Sequence, residues 1–338
     1  MKASDFSIVV LGAGAWGTAF AIHLARDEQN RRVVLWARDQ EQAKAIRETR
    51  INARYLPENW LPDSITITAS LEEALTGVSL IIAAPPVAAL PELMGHCQLI
   101  LATENTVPFF WLSKGFLFDK QQIMLPHQLL SKRWSAPVGL ISGPSFAQEV
   151  AAGLPTALVV AATAFSCAEQ VAADVRCATL RVYPNDDIIG VETGGAVKNV
   201  LAIAAGICDG LSLGHNARAT LMTRGLAEMA RLTEALGGKV TTLMGLAGLG
   251  DLILTCTGDL SRNRRVGMLL AEGMNLDDIL TRLGHVAEGV AAARAITILA
   301  ERFAIELPVS AAVADILEQK ITPREAVERL LNRAPVAE

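Results

Sequence analysis

The sequence predicts an α/β protein: a doubly wound parallel sheet covered by helices, followed by an all-helical C-terminal domain. Three observations carry this. Short β-branched runs alternate with helix-patterned segments through the first half of the chain. A glycine-rich turn joins the first strand to the first helix. Beyond Asp187 the strand signal stops, and long apolar stretches with helical spacing take over. The expected division is therefore residues 1–187 and residues 188–338.

In chain order, Ser7–Leu11 is a short β-branched strand, and Trp16–Arg26 carries the spacing of a helix. Arg32–Trp36 is a second strand, followed by the polar helix Asp39–Glu48. Ile65–Thr68 and Leu80–Ala84 read as further strands. Between them Ser70-Leu71-Glu72-Glu73 has the form of a capping box opening a short helix. Strand signals resume at Phe109–Leu112, Val138–Ser142 and Thr156–Ala161. The character changes near Tyr183–Asp187, after which apolar helices are expected over 188–208, 216–236, 264–272 and 287–303. Thr322-Pro323-Arg324-Glu325 is a capping box with proline in the first turn, so a last helix starts there. The tail, Arg333–Glu338, is expected to fray.

The chain is 51% hydrophobic and 19% charged, a globular balance that disfavours extended disorder. A net charge of -5 argues against general nucleic-acid binding. Cys97, Cys167, Cys177, Cys208 and Cys256 are scattered, with no Cys-x-x-Cys spacing. They read as reduced thiols, not as a disulfide frame or a metal site. Met1–Asp5 passes straight into a strand without a signal-peptide apolar core. No uninterrupted apolar run reaches the ~18 residues of a membrane span. The expectation is a soluble cytoplasmic protein that holds no metal.

Leu11-Gly12-Ala13-Gly14-Ala15-Trp16-Gly17 places Gly-x-Gly-x-x-Gly between a strand and a helix, at the start of an alternating βαβ unit. That context makes it a Rossmann-type dinucleotide fingerprint. Gly12 permits the tight turn, Gly14 lets the backbone approach a pyrophosphate, and Gly17 lets the helix pack closely. Ala15 and Trp16 open the helix whose free N–H groups would meet the anion. The second strand ends Leu35-Trp36-Ala37-Arg38-Asp39, so a carboxylate for the ribose 2′-hydroxyl arrives late and Arg38 precedes it. A guanidinium there suits a 2′-phosphate, which favours NADP(H), alongside NAD(H). The alternative is an ordinary loop arginine.

Lys198 and Asn199 interrupt the otherwise apolar segment from Gly194 to Ile207. A buried ammonium is costly unless paired, and burial lowers a lysine's pKa, the tuning that proton transfer requires. A snorkelling or structurally paired lysine is the competing explanation. Asp251 and Thr255 stand four residues apart in Gly248–Thr257 and share a face if helical. Asp251 then either caps the helix or supports the Lys198 ammonium and binds a substrate hydroxyl. Gly143-Pro144-Ser145-Phe146-Ala147-Gln148 follows a strand and opens a helix, and its Ser-x-x-Gln spacing is that of a capping box. Ser261-Arg262-Asn263-Arg264-Arg265 is a cation cluster behind a serine cap, suited either to solvent or to a phosphate dianion.

Taken in order and spacing, Gly12–Gly17, Ser113-Lys114-Gly115, Gly143–Phe146, Gly195–Asn199, Gly248–Asp251 and Ser261–Arg265 resemble NAD(P)-dependent sn-glycerol-3-phosphate dehydrogenase, bacterial biosynthetic type. The resemblance covers nearly all of residues 7–331. It implies a reversible hydride transfer between NAD(P)H and dihydroxyacetone phosphate, the product feeding phospholipid synthesis. It implies that Lys198 exchanges the proton at the substrate C2 oxygen, and that Lys114 and Asp251 bind and polarise the substrate. Asn199 and Thr255 line the pocket, Arg262 and Asn263 grip the phosphate beside Ser261, and Gly143 and Ser145 contact the substrate. Lys114, Ala147, Arg262, Val286 and Glu288 are assigned to the cofactor side, with Arg38 near the adenosine.

Two departures stand out. Pro86 occupies the family's small polar position after the fourth-strand proline, and segment 104–112 before Lys114 is unfamiliar in detail. Two rivals remain open at this stage: a related dehydrogenase of a 3-hydroxy acid or sugar acid, and a non-catalytic NADPH-binding regulator. A homodimer through the apolar helical domain fits the composition, as does a simple buried core.

Overall fold

A computed structural model describes residues 6–26, 31–101, 106–119, 122–283 and 288–333. The chain forms two compact units, residues 1–114 with 126–188, and residues 115–125 with 189–338.

The first unit is built on an eight-stranded sheet. Its strands are β1 (Ser7–Leu11), β2 (Arg32–Trp36), β5 (Ile65–Thr68), β6 (Leu80–Ala83), β7 (Phe109–Trp111), β10 (Val138–Ser142), β11 (Thr156–Ala162) and β12 (Leu180–Asn185), in the order β12-β11-β10-β7-β6-β1-β2-β5. The hairpin β3 (Ile51–Asn52) with β4 (Leu56–Trp60) lies outside that sheet. The helices are α1 (Ala15–Arg26), α2 (Gln40–Thr49), α3 (Leu71–Leu75), α4 (Leu90–Leu101), α5 (Pro126–Leu130), α6 (Ala147–Ala152) and α7 (Phe165–Val175). β1 is buried along its whole length and pairs in parallel with both β2 and β6. The strand order runs outward in opposite senses from β1 and β6, which makes the crevice at their carboxyl ends the topological switch point.

The sheet is not wholly parallel, as the alternation alone had suggested. β10 and β11 pair antiparallel, Gly139 opposite Ala162, and a Cβ on Gly139 would sit 2.3 Å from the Ala161 carbonyl. The edge strand β12 carries Pro184, tolerated because an edge residue need not donate to a further neighbour. Ser70 caps α3 by accepting from the Glu73 N–H, but the expected capping box is only half made. The Glu73 carboxylate takes the Thr68 hydroxyl at 2.5 Å instead.

The second unit is helical apart from the hairpin β8 (Leu117–Asp119) and β9 (Gln122–Met124). Phe116, Ile123 and Leu125 of this hairpin join the helical core, so a short piece of chain from the first half belongs to the second unit. Its helices are α8 (Ile188–Gly210), α9 (Gly214–Ala235), α10 (Val240–Leu243), α11 (Asp251–Thr257), α12 (Arg262–Ala271), α13 (Leu276–Leu283), α14 (Glu288–Phe303), α15 (Pro308–Leu317) and α16 (Pro323–Leu331). α8 is apolar because it is the core helix, buried nearly end to end. By length and composition it could cross a membrane, but 89% of its most apolar stretch is buried inside the protein. α16 carries the full capping box that Thr322 and Glu325 predict.

Gly206 and Gly267 let α8 and α12 cross backbone against backbone. A Cβ on Gly206 would lie 1.9 Å from the Arg264 carbonyl oxygen, and one on Gly267 2.0 Å from that of Ile203. The N-terminus of α15 is closed by the buried Glu228, whose carboxylate accepts from the Val309 N–H, the Ser310 N–H and the Ser310 hydroxyl at 2.5, 3.0 and 2.8 Å. A tertiary carboxylate thus does what a local cap usually does.

Candidate active site

At the carboxyl end of β1, Gly12 adopts a φ of +122°, and a Cβ there would press within 3.1 Å of the Ala84 carbonyl carbon. Gly17, on the first turn of α1, would carry its Cβ to 2.0 Å from the Gly12 carbonyl oxygen. Both positions therefore require glycine. Gly14 differs: nothing lies within 4 Å of where its Cβ would be, so the turn opens on unfilled space beside the start of α1. That is the arrangement a pyrophosphate needs, and the residues present fit a dinucleotide. Ala15 begins the helix, and Trp16 packs edge-on to Phe20 with ring centroids 5.7 Å apart. Two residues not anticipated from sequence hold the turn. Gln42 and Asn52 both donate to the Ala13 carbonyl, at 2.8 and 2.9 Å, and Asn52 also donates to Thr18. Their link to the turn is tertiary, so no local pattern marks it.

Arg38 and Asp39 separate cleanly. Asp39 caps α2, its carboxylate accepting from the Gln42 N–H at 3.0 Å. Arg38 is exposed and has no ion-pair partner among the described residues. The one carboxylate near the end of β2 is thus engaged by its own helix, and the cation beside it stands in solvent.

At the same carboxyl end of the sheet, Lys114 follows β7 and donates through Nζ to the Gly143 carbonyl at 3.2 Å. Gly143 follows β10 directly, with a φ of +127°. Its carbonyl also accepts the Ser145 hydroxyl at 3.1 Å. Ser145 is therefore not the cap of α6, contrary to its Ser-x-x-Gln spacing; Phe146 occupies the cap position without a side-chain bond. Ala147 is the first residue of α6 and half-buried. Pro86 leads into a single tight turn, Val87–Ala89.

In the helical unit, Lys198 is buried on α8 and pairs with the equally buried Asp251. Its Nζ also donates to Thr255 Oγ1 at 2.9 Å. The Thr255 hydroxyl proton is committed to the Asp251 carbonyl at 2.6 Å, which leaves its lone pairs facing the ammonium. Asp251 is not a helix cap. It begins α11 directly after a five-residue π-turn, Leu246–Gly250, closed by the Gly250 N–H on the Gly245 carbonyl at 3.1 Å. Such turns break helical register and re-aim the next residue. Gly194 lets the π-turn approach α8: its Cβ would stand 2.7 Å from the Ala247 carbonyl oxygen. One turn further along α8 is Lys198, so the same close contact brings Asp251 to it.

Asn199 accepts from Asn263 Nδ2 at 3.0 Å, and Asn263 Oδ1 accepts the Gly289 N–H at 3.2 Å. The two asparagines thus tie α8, α12 and α14 together. Ser261 caps α12, accepting the Arg264 N–H at 3.3 Å. Of the cations that follow, Arg264 is a strut: Nε meets Asp209 at 2.7 Å and Nη1 meets Asp259 at 3.0 Å. Arg262 and Arg265 are exposed and have no ion-pair partner among the described residues. Asp209, absent from the sequence reading, lies eleven residues after Lys198, three helical turns along one face, and that spacing was a readable signal. Glu288 opens α14, whereas Val286 lies outside the described residues. Among the described residues no cluster of three His, Cys, Asp or Glu side chains could hold a metal ion.

Each unit thus presents a chemically coherent cluster, and known proteins resemble the chain along nearly its whole length. The N-terminal model of NAD-dependent glycerol-3-phosphate dehydrogenase matches residues 7–168, and the C-terminal model matches 187–328. Glycerol-3-phosphate dehydrogenase (NAD(P)+) of Nitrosospira multiformis is 49% identical over 334 residues, covering 98% of this chain and 99% of that protein. The protein of the same name from Dechloromonas aromatica is 49% identical over 333 residues, with 98% and 99% covered. The crystal structure of glycerol-3-phosphate dehydrogenase from Coxiella burnetii is 41% identical, with a TM-score of 0.90 over 97% of this chain and 99% of that one. The chain belongs to the NAD-dependent glycerol-3-phosphate dehydrogenase family.

Proposed function

We propose that this chain reduces dihydroxyacetone phosphate to sn-glycerol 3-phosphate with NAD(P)H, reversibly, and that Lys198 is the proton donor. The observation that carries this reading is the buried Lys198–Asp251–Thr255 cluster, an ammonium aimed by two partners inside an apolar core. A buried pair of this kind adds little to stability against an apolar alternative, so a chemical role is the better account of it.

The dinucleotide, when bound along the Gly12–Gly17 turn, supplies the hydride from its nicotinamide. Gly14, Ala15 and the first turn of α1 would hold its pyrophosphate, and Trp16, Ala147, Val286 and Glu288 would flank it. As hydride reaches C2 of the substrate, the carbonyl oxygen gathers negative charge, and the Lys198 ammonium stabilises it and gives up its proton. Asp251 and Thr255 fix the direction of Nζ. Lys114, steadied by the Gly143 carbonyl that also receives Ser145, adds a second cation at the substrate. Arg262, on the first turn of α12 and facing solvent, would take the phosphate together with the remaining N–H of Asn263 and the helix N-terminus. Asn199, through Asn263, keeps that subsite in register with Lys198.

Residues 1–187 are thus assigned to the cofactor and 188–338 to the substrate. The proposal extends to a cytoplasmic enzyme that feeds phospholipid synthesis, and to a homodimer through the helical unit. That unit exposes Leu213, Val240, Met244, Ile253 and Leu260, apolar surface of the kind an interface covers. The reading is tested by following NADPH absorbance after adding dihydroxyacetone phosphate, with NADH in parallel. Rapid oxidation with a higher kcat/KM for NADPH supports the reaction and the Arg38 assignment. No oxidation by protein shown to bind NADPH overturns the reaction, and equal values for the two cofactors overturn the role of Arg38.

A further inference from the structure

Cys177 sits at the turn between α7 and β12, where its backbone exchanges two 3.2 Å hydrogen bonds with Leu180. Its Sγ lies 3.4 Å from Nδ1 of His23, a buried residue of α1. The other ring nitrogen, Nε2, is 2.9 Å from the Val175 carbonyl, which can only accept, so Nε2 carries a hydrogen. Nδ1 is then either the acceptor of the thiol proton or, once protonated, the donor to a thiolate. The Thr179 hydroxyl is 3.6 Å from the same sulfur. Arg26, one turn beyond His23 on α1, adds a guanidinium whose charge is felt at Cys177 while its N–H groups hold the Val150 and Ala151 carbonyls.

This cluster separates Cys177 from the other four thiols. Burial pushes Cys97 and Cys256 up to about 12, and Cys167 and Cys208 above the ordinary thiol value. At Cys177 burial also pushes upward, but the hydrogen bond and charge of His23, with Thr179, outweigh it and bring the thiol down to about 6. Cys177 is only half-buried, so a small reagent can reach it. No step of the hydride transfer uses this pair.

We propose that Cys177 and His23 form a reactive-thiol site that exchanges with small disulfides. The Cys177 thiolate attacks one sulfur of the disulfide, a new S–S bond forms and the old one breaks. The second sulfur leaves as a thiolate and takes up the proton released from the imidazolium. The disulfide is the only co-reactant, and a free thiol reverses the exchange.

The test needs no variant. The folded protein is treated with limiting iodoacetamide from pH 5 to 9, and each cysteine-bearing peptide is quantified by mass spectrometry. Glutathione disulfide is then used at pH 7. The expected result is modification at Cys177 first, half-maximal near pH 6 and flat above pH 7.5, and a mixed disulfide at Cys177 that dithiothreitol removes. Faster labelling of another cysteine overturns the proposal, as does a Cys177 rate still climbing through pH 8.5. The pH midpoint is a better readout than the rate in His23→Asn. Returning the thiol to ~8.5 cuts the thiolate fraction at pH 7 by about 30-fold. The more basic thiolate is about tenfold more nucleophilic, so the net rate falls only two- to threefold, roughly.

Discussion

Gly206→Ala tests how the substrate subsite is held in place. Gly206 lies two turns beyond Lys198 on α8 and meets α12 at Arg264. The new Cβ would stand 1.9 Å from the Arg264 carbonyl oxygen and 2.8 Å from its carbon. Both obstacles are backbone, so no side chain can rotate out of the way. Ordinary contact begins at 3.4 Å, so the start of α12 must withdraw by about 1.5 Å. Overpacking of this kind costs ~1–3 kcal/mol. Arg262 and Asn263 move with the helix, and a displacement of ~1 Å at a substrate-positioning group can cost ~100-fold. The expected outcome is a KM for dihydroxyacetone phosphate raised by about 10- to 100-fold. The Tm should fall by several degrees. Steady-state kinetics and a thermal melt read both effects. A variant with wild-type Tm and wild-type substrate KM would refute the claim that this glycine crossing sets the phosphate subsite.

Two further perturbations are informative. Arg262→Ala should raise the substrate KM by about 10- to 100-fold, the loss of a charge-assisted hydrogen bond worth ~1.5–3 kcal/mol; an unchanged substrate KM removes Arg262 from the phosphate role. At Glu228, burial raises the carboxyl above its ordinary 4.5, outweighing the bonds from Val309 and Ser310 that favour the carboxylate. The folded state then holds the proton more tightly than the unfolded one, so this group's contribution is full below pH 4.5 and is lost as pH rises through the folded value. Comparing thermal melts of wild type and Glu228→Gln from pH 4 to 8 should show the Tm difference moving in the variant's favour as pH rises; movement the other way contradicts the reasoning.

The parts of this fold that were legible in the sequence are those whose cause is local. The glycine turn, β1, β2, β10 and the long core helix follow from spacing and composition over a few residues. The site clusters were legible as residue types out of place, above all Lys198 in an apolar helix. What sequence reading missed depends on distant partners. Ser145 looks like a cap, but its hydroxyl turns to the Gly143 carbonyl. Asp251 looks like another, but a π-turn redirects it into the core. The antiparallel β11 has the same alternation as a parallel strand, and the hairpin at 117–124 has arms of three residues each, too short to show a period. Arg264 shares a run with Arg262, yet Asp209 and Asp259 engage Arg264 and not Arg262.

The central claim is that Lys198 donates the proton, and Lys198→Met tests it most directly. Removing the lysine leaves Asp251 buried without its cation, which costs ~3–5 kcal/mol, so turnover is measured well below the Tm and beside Lys198→Met/Asp251→Asn, in which that stranded carboxylate is gone. NADPH binding is followed by fluorescence in both. The kcat on dihydroxyacetone phosphate should fall by about 10²- to 10⁴-fold in both variants, with NADPH affinity retained and the Tm recovered in the double variant. A folded Lys198→Met protein that binds NADPH and turns over at close to the wild-type rate would contradict it.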